Sequence, residues 1–380
     1  MNPLEQARSS AQAVDLLALR PETRAGQRAT LDGDHAPAPG ELILLQGLTT
    51  IRQEQLQTGE IASYRRGLAG DLLYCRSPFV STFVHDALGC FDPRSPSWQP
   101  HTLDLIPGRR RVRFFRTVIH VRQRIRAFLA WQQESDGCWR FFGRGSGLDC
   151  DANTTVCAAS ALLDRAERSD LRRWQRQVKA VLRFRSAGGL FFTFLTPAGR
   201  GYGWMDDVGR PVAGIDRVVN ADVLRYLALA GVGTGRDVEV LMDYLRGEAA
   251  SGDLMHGTSL YPNPLSFFYA LTRAWDQAQL PGLADLASSL VPRLLSLQGE
   301  DGNFGTPLST SLAIAAFLNL KVAGTPLERA RDALISKTQP AGGWAYEDFI
   351  VSGFGSPALT TALAMMVLAR SSGLANGWAG

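Results

Sequence analysis

Six times along the chain a proline, asparagine or aspartate, in five cases with a small hydroxyl residue nearby, opens a run that is apolar on nearly every side. The six starts are Ser77-Pro78-Phe79-Val80-Ser81-Thr82, Asp151-Ala152-Asn153-Thr154-Thr155-Val156, Asn220-Ala221-Asp222-Val223, Asn263-Pro264-Leu265-Ser266-Phe267, Thr306-Pro307-Leu308-Ser309-Thr310 and Ser356-Pro357-Ala358-Leu359-Thr360-Thr361. Residues 312–320 and 359–368 show how apolar the continuations are. A helix with no polar face has to be buried all round. Six such helices at intervals of roughly 45–70 residues point to a helical repeat array.

Between them lie amphipathic stretches at 42–53, 112–131, 171–184, 238–245, 283–297 and 327–335. In the second, Val118, Val121, Ile125, Phe128 and Leu129 share one side and arginines the other, at helical spacing. The alternation predicts an all-α fold, a closed (α/α)6 double-ring helical barrel or toroid. Apolar helices would form its inner ring and amphipathic helices its outer ring. Glycines in Asp136-Gly137, Gly188-Gly189, Asp301-Gly302 and Gly342-Gly343 suit left-handed helix stops. Length alone, 380 residues, would suggest more than one domain. The repeat argues instead for one barrel over 41–380, preceded by a flexible polar arm, 1–40.

Net charge is +4, too small to imply nucleic acid. The arginines at 109–111, 122, 124, 126, 172 and 173 read as a solvated outer face. Cysteines 75, 90, 138, 150 and 157 form no C-x-x-C pair and no cluster with histidine. They read as reduced thiols, and no structural zinc site is expected. With no signal peptide and no apolar run that could span a bilayer, a cytoplasmic protein is expected.

The stretch Leu148-Asp149-Cys150-Asp151-Ala152-Asn153-Thr154-Thr155 has two readings. Asp151, Asn153 and Thr154 suit a helix N-cap. The same residues also suit an acid site at the mouth of the ring. Aromatic residues lie before or early in the inner helices: Trp139, Phe141, Phe194, Tyr202, Trp204, Phe267, Tyr269, Trp344 and Tyr346. They could wall a cavity for a long apolar substrate and stabilise cations through their ring faces. Packing between repeats is the competing reading for Trp139, Phe304 and Trp344. Asp216 with Asn220 forms a second polar pair at an inner-helix start, read as parallel to Asp151 with Asn153. Asp206, Asp207, Asp216 and Asp222 are carboxylates of the kind that hold Mg²⁺. Val208, Gly209 and Arg210 after Asp207 break the DDxxD spacing of prenyl-diphosphate chemistry, so no protein metal site is assigned. No glycine-rich dinucleotide fingerprint follows a strand, so no cofactor is implied beyond Mg²⁺ brought by a substrate diphosphate.

Gln133-x-x-x-Gly137-x-Trp139 resembles the QW repeat of squalene–hopene cyclases and related terpene cyclases. Gln298-x-x-x-Gly302-x-Phe304 and Gln339-x-x-Gly342-Gly343-Trp344 are weaker copies. The resemblance covers roughly residues 45–375, and implies the α/α toroid shared with protein prenyltransferase β subunits. The zinc set of those subunits has no counterpart, since no His or Cys follows His256. Class II terpene cyclases carry D-x-D-D or D-x-D-T-T at an inner-helix start, and its middle Asp protonates an alkene or epoxide. Asp151-Ala152-Asn153-Thr154-Thr155 matches with Asn153 in the acid position, and sets Thr154-Thr155 level with Ser81-Thr82, Ser309-Thr310 and Thr360-Thr361. Asp149-Cys150-Asp151-Ala152 is the other register. An amide cannot protonate an alkene, so Asp151 or Asp149 would have to supply the acid, kept neutral by burial or by the other's charge.

Three functions remain open: a proton-initiated cyclase of isoprenoid substrates, a lipid-binding or partner protein in the same fold, and carboxylate chemistry on a polar substrate such as a glycan, using Asp151 and Asp216. Few charges on the inner helices would favour the first two. The family often pairs the toroid with a second helical domain, so a homodimer or separate chain closing the cavity is a further expectation.

Overall fold

The computed structural model describes residues 37–67, 69–163, 171–194, 214–232 and 235–372. Most of the N-terminal arm, 1–36, lies outside them, and the first described helix already begins at Pro39, inside the stretch assigned to the arm.

Among the described residues there are twelve α-helices. The outer ones are α1 (Pro39–Gln53), α3 (Gly108–Gln132), α5 (Leu171–Leu182), α7 (Gly235–Ala250), α9 (Leu283–Ser296) and α11 (Thr325–Ser336). The inner ones are α2 (Pro78–Ala87), α4 (Ala152–Leu162), α6 (Arg217–Ala230), α8 (Leu265–Gln277), α10 (Pro307–Asn319) and α12 (Pro357–Ser372). Each inner helix packs on the next, and α12 packs on α2 to close the ring. In α10 every residue from Leu308 to Asn319 is buried, as apolarity on all sides requires. The toroid inferred from the repeat is the fold observed.

One small sheet is added to the helices. Strands β1 (Tyr64–Arg66), β2 (Leu72–Tyr74), β3 (Asp348–Ile350) and β4 (Phe354–Gly355) run antiparallel in the order β2-β1-β4-β3. Tyr64 pairs with Gly355 and Arg65 with Phe354, which ties the segment before α2 to the segment before α12.

The QW-like residues brace the outer ring to the inner one. Gln133 Nε2 donates to the Gly137 carbonyl at 3.0 Å, and Gln298 Nε2 to that of Gly302 at 2.9 Å. Trp139 and Trp344 are fully buried, and their ring N–H groups donate back to the preceding outer helix, to Leu129 O and Leu334 O. These two tryptophans are therefore struts between rings, not cavity wall, because both the indole face and its donor are spent on packing.

Gly137 (φ +94°) and Gly302 (φ +86°) turn the chain against the next outer helix. A Cβ would lie 2.6 Å from Arg176 O at Gly137 and 2.7 Å from Arg329 O at Gly302. Gly137→Ala is expected to cost about 1–3 kcal/mol of stability for the left-handed backbone alone, before the clash is counted. Urea unfolding checks this; an unchanged midpoint would show that the turn relaxes away from α5.

A side chain early in each of five inner helices receives a backbone N–H from the preceding loop. Ser81 Oγ accepts from Ile61, Thr155 Oγ1 from Trp139, Asn220 Oδ1 from Phe191, Thr310 Oγ1 from Phe304 and Thr361 Oγ1 from Trp344, at 2.9–3.1 Å. These bonds fix the register between repeats. Ser81, not Thr82, is level with Thr155, so the alignment of Ser81-Thr82 with Thr154-Thr155 is off by one. Asn220 likewise corresponds to Thr155 rather than Asn153. Its amide also donates to Phe191 O and Asp216 O, so it is a brace with no group left for a substrate.

Two further expectations fail. Cys138 and Cys150 form a disulfide, with Cα atoms 6.1 Å apart. The chain returns on itself between them through an Arg140–Cys150 bridge, a proximity that their spacing of twelve does not reveal. Arg122 is buried rather than solvated, donating to His85 O and paired with Asp92.

Candidate active site at the mouth of the ring

Asp151 caps α4. Its backbone is extended, and Oδ1 accepts from the Thr154 amide at 2.6 Å. The cap reading is therefore correct, and it uses only one carboxyl oxygen. Asp151 Oδ2 and the neighbouring Thr154 Oγ1 are both buried and neither makes a well-formed hydrogen bond, although the Thr154 hydroxyl lies close enough to favour the carboxylate. Several buried polar atoms among the described residues lack such a bond, and Asp151 Oδ2 is a carboxyl oxygen, whose proton could be donated. Burial pushes the Asp151 carboxyl from 3.8 up to about 7, against smaller opposing effects of the Thr154 amide and hydroxyl. It holds its proton through most of the acid range.

Asn153 is also buried, and its amide donates to the Tyr261 hydroxyl across the mouth. Asp149, the other acid candidate, is exposed. The register Asp149-Cys150-Asp151-Ala152 has Asp151 as its middle residue, and that residue is buried. Asp216 caps α6 as Asp151 caps α4, accepting from Val218 N (2.8 Å) and Val219 N (3.2 Å), and burial raises it too. The two caps flank one extended segment: Ala152 N donates to Thr193 O and Thr193 N to Gly214 O. Two strand spacings put their backbones about 10 Å apart.

Sequence reasoning missed three contributors. Glu60 receives the Ser77 amide at 3.0 Å and the Tyr74 hydroxyl at 3.1 Å, and Glu347 receives the Leu308 amide at 2.9 Å. Burial raises both. Four inner helices thus start on a carboxyl, buried at Glu60, Asp151 and Asp216 and half-buried at Glu347, placed where the helix dipole stabilises its anion. Tyr261 is the third. Only Pro262-Asn263 marked that neighbourhood, and nothing in it signals a partner more than 100 residues away.

Aromatic rings gather at the mouth, packed against one another. Phe141 joins Phe79, Phe354 and Phe142 in edge and tilted contacts of 5.1–5.7 Å. Phe349, from the β3–β4 hairpin, lies against Phe83 at 5.0 Å and Tyr261 at 5.6 Å. The rings cap the ring of helices from within the same chain. Tyr346 ties the hairpin, its hydroxyl donating to Gly353 O, and stacks under Arg66. Phe194 is half-buried and its backbone bridges Asp151. Phe267 packs beneath the Arg217 guanidinium, 5.0 Å from its ring centre. Tyr202, Trp204, Asp206 and Asp207 lie outside the described residues.

The interior is not the nearly uncharged cavity expected. About 12 Å down the inner helices, at 1.5 Å per residue, Arg273 joins Asp222 and Asp86, and Arg225 joins Asp86 at 2.8 Å. Arg273 also sits over the rings of Tyr269 (4.7 Å) and Phe83 (5.3 Å), and its Nη1 donates to the Tyr269 hydroxyl at 3.2 Å. Tyr269 and Asp222 are therefore committed to this network. A space of only about 10 Å³ remains beside it. The larger opening, about 420 Å³, is at the rim between α6, α7 and residues 253–259.

No helix among the described residues is long and apolar enough to cross a membrane. No family model matches the sequence, and no curated protein matches it. Solved structures do. The type II terpene cyclase MstE from Scytonema superimposes with a TM-score of 0.65 at 14% identity, over 89% of this chain and 99% of that one. A variant of it was solved with geranylgeranyl dihydroxybenzoate as substrate. The ent-copalyl diphosphate synthase of Streptomyces platensis matches at 0.54 and 15% identity, over 78% of this chain and 50% of that one. A Salmonella enterica protein described as a possible GH105 member matches at 0.51 and 11%, over 89% and 95%. The described residues form the α/α-toroid fold that these type II terpene cyclase structures also have.

Proposed function

We propose that this protein is a proton-initiated cyclase of a polyprenyl substrate, with Asp151 as the acid. The observation that carries this reading is the buried Asp151 carboxyl with one oxygen capped and the other without a well-formed hydrogen bond. The Oδ2–H bond breaks, and its proton adds to a terminal alkene carbon. The carboxylate left behind is held by the Thr154 amide and the N-terminus of α4. The resulting carbocation is attacked by the next alkene of the folded chain, forming a ring, and a final proton loss to a base ends the sequence. Phe79, Phe83, Phe141, Phe349 and Tyr261 supply the ring faces that stabilise positive charge. The substrate must part this cluster to reach the acid, and the β3–β4 hairpin carrying Phe349 is the element placed to yield.

The test is product analysis with polyprenyl diphosphates, prenyl alcohols and squalene-type alkenes, with and without Mg²⁺. A cyclised product made by the wild type and lost in Asp151→Ala, with Asn153→Ala only weakened, supports the reading. No product from any of them sinks it.

A pH experiment reads the same carboxyl. Unfolded, Asp151 loses its proton near 3.8; folded, near 7. Its contribution to stability is thus full below about pH 4 and is lost as pH rises through about 7. Asp151→Asn should remove that part of the fall, so the stability difference between variant and wild type should grow in the variant's favour from pH 4 to pH 7. A difference flat across that window would mean that Asp151 titrates normally.

A second reading has one specific support: two buried carboxyls with raised pKa, Asp151 and Asp216, face a common mouth, as acid–base hydrolysis of a glycan needs. Release of reducing sugar from an oligosaccharide panel, abolished in Asp216→Asn, would favour it.

A further inference from the structure

The rim opening has a composition that bears on the substrate. It is lined by Asp216, Arg217, Tyr244, Glu248, Asp253 and His256, with Thr258 and Ser259 beside them. Its volume of about 420 Å³ falls within the roughly 300–1,000 Å³ of small-molecule sites. It adjoins the proposed acid site: Asp216 caps α6 at the mouth, and Thr258 lies three residues before Tyr261, the partner of Asn153.

The charge balance is acidic. Three carboxyls face one guanidinium, whose two Nη groups are engaged while its Nε–H is buried without a partner. Arg217 Nη1 pairs with Glu248 at 3.4 Å, Nη2 donates to the carbonyls of Asp253 and His256, and its plane lies over Phe267. Asp253 and His256 are exposed, Tyr244 and Glu248 half-buried, and Asp216 forms the buried floor. Carboxyl groups outnumber the one guanidinium, so the charge balance of the lining disfavours an anion. Among the described residues these carboxyls do not come together as a set of three metal donors; the one such group is Asp136, Cys138 and Cys150, whose sulfurs are bonded to each other.

We propose that this pocket holds the polar end of the substrate and selects a hydrogen-bond-donating, non-anionic group (an alcohol, phenol or amine) against a diphosphate. The proposal rests on the cyclase reading for the prenyl tail, while the head preference follows from the pocket alone. The hydroxyl or amine donates to Glu248, Asp253 and Asp216, and the tail turns past Asp216 into the mouth.

The experiment measures binding of farnesol, farnesylamine and farnesyl diphosphate by calorimetry at low ionic strength, without Mg²⁺, to wild type, Glu248→Gln and Asp253→Asn. Farnesol and farnesylamine should bind at least about tenfold more tightly than the diphosphate, since like charge in a partly buried pocket is poorly screened. Each variant should narrow the gap severalfold by improving the diphosphate. Asp253→Asn is the safeguard if loss of the Arg217 pair in Glu248→Gln disturbs folding. A diphosphate that binds wild type as well as the alcohol does, or ratios unmoved in both variants, overturns the proposal. If no farnesyl compound binds, the tail reading has failed, and the head preference is read with tail-free probes, ethanolamine and inorganic pyrophosphate. Ethanolamine should shift the His256 ring resonances and pyrophosphate should not; the reverse overturns it. Cyclised product with the wrong head order would overturn the pocket and leave the catalytic reading standing.

Discussion

Asp151→Asn is expected to lower product formation by about 10²–10⁴-fold, the range for loss of a general acid, while the protein stays folded. Asparagine is as good an N-cap as aspartate, so the Thr154 bond and the start of α4 survive. What is lost is the proton on Oδ2. The wild-type rate should itself fall as pH rises through about 7, where Asp151 ionises. A variant that retains more than a tenth of the wild-type turnover, with unchanged circular dichroism, would remove Asp151 from the acid role. Rate and fold must be measured on the same preparation, because the Asp151 backbone also bonds Trp139 O beside the Cys138–Cys150 disulfide.

The largest expected loss of stability is at Arg273. Its guanidinium is almost fully buried between Asp222 and Asp86, and Arg225 reaches Asp86 from the neighbouring helix. Burial alone would raise Asp86, but Arg225 and Arg273 outweigh it and hold that carboxyl below the usual range. Arg273→Ala leaves Asp222 in the interior without its counter-charge, and Asp86 with only one. Breaking such a buried pair costs about 3–5 kcal/mol. Because Asp86 is depressed, the network's contribution is present above the ordinary carboxylate range and lost as pH falls below it, so the cost of Arg273→Ala should shrink in acid. Urea unfolding at pH 7 and pH 3.5 reads both effects. A loss under about 1 kcal/mol at pH 7 would mean that water reaches the network.

This network bears on function as well. Few charges on the inner helices would separate an apolar from a polar cavity, and Asp86, Asp222, Arg225 and Arg273 lie on them in one network. They are paired with each other about two turns below the mouth, so they form a floor. Above them the rings of Phe83, Phe349 and Tyr261 are stacked toward the mouth. A polar floor beneath an aromatic mouth is compatible with an isoprenoid tail that enters only as far as the aromatic layer.

The sequence by itself determined the ring. Helices that are apolar all round, such as α10 and α12, can exist in water only inside something, and six of them alternating with amphipathic partners leave few arrangements other than a double ring. The QW-like turns were legible for the same reason: a glycine in a left-handed turn, a glutamine closing that turn and a tryptophan behind it act within a few residues. So was Asp151 as a cap, because capping is local. Tertiary structure alone decided which caps are also chemical groups. Thr155 and Ser81 are level because both meet a backbone N–H from the loop before them, a fact of register invisible in either segment. Tyr261 reaches Asn153, Glu60 reaches Ser77, and Arg273 reaches Asp86 across 187 residues, each pairing set by angular position around the ring. A periodic pattern encodes which side of a helix is buried but not which of five other inner helices it will face. Burial by those neighbours, absent from any local pattern, is what raises the Asp151 carboxyl to about 7 and turns a helix cap into a candidate acid.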